Sequence, residues 1–141
     1  MIPPQHGVGV ILVLPDYTDP PPRVVETWLA DALVDLPAPV RLQAALVALE
    51  LVSCTRGWGT APFVVRLSVT GSGRALIVSV TDGTPGYDAA TIGSDLLLVA
   101  GLSHTWGVEQ RTGGRTLWAS IGFEPGSGNI RVPGPGGWTQ W

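Results

Sequence analysis

The stretch PVRLQAALVALELVSCTR, residues 39–56, constrains this chain more than any other. Nearly every position from Leu42 to Val52 is apolar, which is too long a run for a strand and too hydrophobic all round for a surface helix. The run predicts a helix over residues 39–56 placed inside the domain. Its few polar residues therefore carry information. Gln43, Glu50 and Cys54 fall at i, i+7 and i+11 with Val47 between them, so a carboxylate and a thiol share one helical face, a turn apart. A carboxylate in such surroundings is costly unless it is hydrogen-bonded or faces a wet cleft. Glu50 is either that cleft residue or an exposed group near the helix end.

At 141 residues and 45% hydrophobic, the chain is long enough for one domain with its own core around this helix. The net charge of −3 and the lack of any basic run argue against nucleic acid. All 8 basic residues are Arg, so Schiff-base and P-loop lysine chemistry is absent. A single cysteine forbids an internal disulfide. With no cationic start followed by an apolar run and a cleavage site, a cytoplasmic protein is expected. No run of about 18 apolar residues is read, and so no membrane span is expected.

In chain order, residues 1–22 form a Pro-rich lead and a first strand over 8–14, in which Val8, Val10, Leu12 and Leu14 alternate with Gly9, Ile11 and Val13. Residues 16–22 are breakers whose prolines end where a helix can begin. Over residues 23–36, Val25, Trp28, Leu29, Ala32 and Leu36 recur at helical spacing opposite Glu26, Asp31 and Asp35, the pattern of an amphipathic helix. After the central helix, Gly57 and Gly59 are expected to stop it, and the period changes to two.

Residues 63–70 and 74–82 then read as a hairpin, with Val65, Leu67 and Val69 on one face of the first strand and Leu76, Val78 and Val80 on one face of the second. Asp82 continues the latter face, either as a turn-starting residue before Gly83 or as a ligand contact at the mouth of the sheet. A third helix is expected over residues 94–103, capped by Ser94 or Thr91, its N-terminus a candidate anion site. Strands over 105–111 and 114–123 close the domain, Leu117, Ala119 and Ile121 alternating with Thr116, Trp118 and Ser120. Residues 124–141 are rich in Gly and Pro without periodicity and read as a disordered tail.

The order of these motifs, ALVALELVSCTRGWG, VSVTDGTPG, GSDLLLVAGLSHTWGV and GGRTLWASI, resembles the histidine-kinase-like ATPase family, specifically its small anti-sigma-factor serine kinase branch common in actinobacteria. The resemblance covers residues 22–123. It implies an α+β fold, a two-layer α/β sandwich whose mixed, mostly antiparallel sheet carries helices on one face. ATP would lie between the helices and a lid. Glu50 sits where the family has its general base or water-orienting Glu, and Cys54 stands where it has the Asn that binds Mg²⁺. Asp82 and Gly83 match the pair whose carboxylate accepts a hydrogen bond from the adenine amino group, with Gly86 as a later glycine of that motif. Gly93 matches the first glycine of the phosphate-binding motif, and Asp95 occupies the place of the second. Gly114, Arg115 and Thr116 match the start of the last strand, Thr116 being carried over as a nucleotide contact; Trp106 and Gly107 match a pair before it.

The departures from the family point one way. A thiol is a soft ligand, unsuited to a hard cation that demands oxygen. Asp95 would repel a triphosphate, and no Arg or Lys lies between Asp82 and Gly93 to neutralise it. The expectation is a non-catalytic or nearly inactive regulatory protein that acts by protein–protein interaction, Glu50 being a catalytic remnant. No resident cofactor or metal is expected, and ATP with Mg²⁺ would bind weakly. Its partner would be a sigma factor, an anti-sigma antagonist or a second copy of the chain, the homodimer meeting through Trp58 and the first strand. The alternative is an ATP-binding anti-sigma serine/threonine kinase with an unorthodox Mg²⁺ site. Metal binding through Cys54, His104 and His6 lacks ligand spacing.

Overall fold

The computed structural model of the chain describes residues 6–14, 22–58, 62–70, 73–83, 96–111, 114–124 and 128–131. The elements follow as β1 (His6–Leu14), α1 (Pro22–Ala32), α2 (Ala38–Trp58), β2 (Phe63–Thr70), β3 (Ala75–Asp82), α3 (Leu97–Leu102), β4 (Thr105–Arg111) and β5 (Gly114–Gly122). The strands form one five-stranded sheet in the order β1-β2-β3-β5-β4. The fold is α+β in two layers.

Period-two patterning decides which face of the sheet meets the helices. The register pairs Val10 with Leu67, Leu67 with Val78, Val78 with Ala119 and Ala119 with Trp106, which aligns one inward row across all five strands. These residues join Val25, Leu29 and Leu33 of α1, Val47, Ala48 and Leu51 of α2 and Val99 of α3 in a single core cluster. Among the described residues, all three helices therefore lie on one face. α2 crosses β3 and β5 at the centre, flanked by α1 and α3.

Several expectations are corrected. All four strand pairings are antiparallel, where a mixed sheet was expected. β4 runs in the same direction as β3, but the β4–β5 hairpin inserts β5 between them, so no parallel pair forms. α2 runs through Gly57, which was expected to end it. Gly57 lies in the last turn of α2, next to the final Trp58, and a helical glycine costs no more than about 1 kcal/mol. Conversely, α1 stops at Ala32 and residues 33–36 continue as a turn, ahead of Pro37 and Pro39. α3 begins after Leu96, which occupies the N-cap without any side-chain cap bond; Ser94 and Thr91, expected as caps, lie outside the described residues. Leu96 is buried, so packing, not capping, fixes that end.

Of the tail expected over residues 124–141, residues 128–131 are described packed against α1. The backbone N–H of Arg131 donates to the Ala32 carbonyl (2.7 Å), and Ile130 is buried in the core cluster. The Arg131 side chain lies 3.7 Å from both Asp31 and Asp35, half-exposed contacts that contribute little energy. Gly128 adopts φ +149° against the Asp35 carbonyl, where a Cβ would sit 2.2 Å from that oxygen. Residues 128–131 thus cover the end of α1.

Residues 38–55 of α2 are long and apolar enough to cross a membrane by length and composition alone, although the stretch holds Arg41, Gln43 and Glu50. In this fold the same apolarity covers the sheet.

Candidate functional site

The inward row of β3 ends in Asp82, and the register places Arg115 of β5 directly opposite it. Alternation on β5 requires this: Leu117, Ala119 and Ile121 point to the helices, so Arg115 points there too. The two side chains form an ion pair, Arg115 Nε to Asp82 Oδ2 at 3.3 Å, with the guanidinium 4% and the carboxylate 0% exposed. Gly114 lets the strands close here, since a Cβ at that position would lie 2.5 Å from the Asp82 carbonyl oxygen. Gly83 follows on the surface.

Thr116 lies elsewhere. Being next to Arg115 on a strand, it points to the opposite face of the sheet, where its hydroxyl is hydrogen-bonded to that of Thr81 at 2.8 Å. The structure does not bring it together with Asp82. The same far face explains the Trp106–Gly107 pair. Trp106 packs against the helical core, whereas Gly107 is cross-strand from Trp118, whose ring would lie 3.0 Å from any Cβ at 107. The glycine makes room for the buried indole, whose Nε1 meets no acceptor among the described residues.

On the helical layer, Gln43, Val47, Glu50 and Cys54 run along the side of α2 that meets α3. Gln43 donates through Nε2 to the Leu102 carbonyl, tying the two helices together. Glu50 is half-buried, and the nearly buried Cys54 thiol approaches its Oε1 at 3.9 Å, a long and weak contact. Gly86, Gly93 and Asp95 lie outside the described residues. Among the described residues, no three His, Cys, Asp or Glu side chains converge as metal ligands.

The residue to which sequence reasoning gave no role is Arg115. Its signal was present, because the alternation that turns Leu117 inward turns Arg115 inward as well, toward the strand that ends in Asp82. Chemically, the arrangement leaves a carboxylate without solvent access and in contact with a guanidinium of its own chain, poorly placed to accept a hydrogen bond from a ligand. No protein-family model matches the chain, and no curated protein matches it at a significant level.

Proposed function

We propose that this chain is a non-catalytic regulatory protein of histidine-kinase-like ATPase architecture, close to the anti-sigma serine kinase branch, which acts by binding another protein in the cytoplasm. The buried Asp82–Arg115 ion pair carries this reading. In the resembling family the corresponding carboxylate receives the adenine amino group; here a guanidinium occupies that carboxylate. A ligand seeking it would have to displace the guanidinium from a desolvated pair, a cost of about 3–5 kcal/mol. Cys54 in place of an oxygen ligand adds to the loss, because phosphoryl transfer depends on a cation that neutralises the phosphates. What remains usable is the surface of the two-layer sandwich.

The test is thermal denaturation with and without millimolar ATP and Mg²⁺, together with a phosphate-transfer assay on serine-bearing regulator proteins. The expected result is no shift in Tm and no transfer, since a ligand present at 100 times its Kd would add about 2.7 kcal/mol of stability. A clear shift accompanied by serine phosphorylation would establish the kinase reading instead.

A further inference from the structure

The face of the sheet turned away from the helices is closed. Strand register sets Ser68, Ile77 and Ser120 side by side on it, with Ser79 and Trp118 in the next row. Ile77 and Trp118 are each 1% exposed, and the three serines are buried with them. Neither Ile77 nor Trp118 belongs to the core cluster under the helices. Their neighbours cannot enclose them: Trp118 is flanked across the strands by Ser79 and Gly107, and Ile77 by Ser68 and Ser120, side chains too small to cover an indole or a branched aliphatic chain. Arg66 and Glu109, the longest side chains on this face, are themselves half-buried. An antiparallel sheet with helices on one side ordinarily leaves its other side wet, so this burial requires a further layer.

We infer that residues 132–141, VPGPGGWTQW, are that layer, a strap of the chain's own C-terminal segment laid over the outer face of β3 and β5. The burial exists within a single chain, so its agent is a segment of that chain and not a partner. Position selects which one. The Arg131 N–H is held at the Ala32 carbonyl, and Pro37, Pro39 and Val40 beside it border Arg74, Gly122 and Phe123, the end of the sheet from which β5 leaves. Ser68, Ile77 and Ser120 form the outer row close to that end. Ten extended residues span about 33 Å, whereas passing one layer takes roughly 10 Å and the four steps from Gly122 back to Trp118 about 14 Å. Residues 1–5 precede β1 at the same end but bring no aromatic side chain. The chemistry agrees. Residues 132–141 carry no charged side chain, as the buried rows carry none; Trp138 and Trp141 bring large apolar area, and the glycines let backbone lie close to the sheet. Backbone carbonyls there are acceptors for the Trp118 Nε1, which meets none among the described residues. With the strap in place this face is closed to a partner, and the interaction reading is left with the helical side. The inference does not depend on the Asp82–Arg115 pair, and its failure would leave that argument intact.

Disulfide trapping in the full chain tests it, with Cys54→Ser removing the native thiol. Under copper-phenanthroline oxidation, Ser120→Cys combined with Gly137→Cys should close a disulfide within one chain at least ten times faster than Ser120→Cys combined with Pro3→Cys. Ser79→Cys takes the place of Ser120→Cys if that variant does not fold. In a chain carrying Ser120→Cys as its one thiol, adding Trp138→Gly and Trp141→Gly should raise the rate of maleimide alkylation at least tenfold while the circular-dichroism spectrum stays unchanged. Closure no faster than in the N-terminal pair would overturn the inference. So would a disulfide formed only between chains, or alkylation indifferent to the loss of both tryptophans.

Discussion

A buried ion pair is weak support for stability as a pair but severe in its effect when halved. Arg115→Ala leaves the fully buried Asp82 carboxylate without its guanidinium and should cost about 3–5 kcal/mol, read as a lower midpoint in urea denaturation. The double replacement Asp82→Leu, Arg115→Met, which removes both charges and keeps apolar volume, should recover most of that loss. If the two variants are equally unstable, the interaction at this point is packing and not charge. Gly114→Ala should also destabilise, by about 1–3 kcal/mol, because the added methyl meets the Asp82 carbonyl and two paired strands must part to admit it. The inward aim of Asp82 was legible from period two alone. The same period put Thr116 on the outer face, and only the family motif argued for grouping it with Asp82. Where pattern and motif disagreed, the pattern held, since a one-residue step along a strand always changes face.

Among the elements, β2 and β4 have the bounds predicted for them: β2 is an alternating run set between Pro62 and Gly71, and β4 stops before Thr112 and Gly113. Helix ends were less legible. They depend on what the last turn packs against, and neither Gly57 nor the uncapped start of α3 announces that. α2 was read as enclosed because it is apolar on all sides; the sheet takes one side, leaving the other outward. Leu51→Ala, on the sheet side, should cost about 2–5 kcal/mol, whereas Leu42→Ala on the outer side should cost no more than about 0.5 kcal/mol in the monomer. Equal losses at the two positions would mean that α2 is enclosed on both sides. The segment 128–131 escaped sequence reasoning because its one apolar anchor, Ile130, sits among glycines, a polar residue and prolines with no period to betray burial. Ile130→Asp should therefore lower Tm by several degrees, which a disordered tail would not transmit.

Across the described residues the molecule keeps a sheet, a helical layer and a single core, and the inward end of β3 is closed by the Asp82–Arg115 pair. The composition-level readings, one domain and an α+β sandwich, follow from hydrophobic content and from two changes of period. The sealing of the site could be read only once the strand register was known, since Asp82 and Arg115 are 33 positions apart in the chain. Calorimetric titration of ATP with Mg²⁺ into the wild-type protein tests the sealed site most directly. The prediction is no saturable heat up to millimolar nucleotide. A one-to-one isotherm with a micromolar Kd would show that Arg115 yields Asp82 to adenine, and the non-catalytic reading would be wrong.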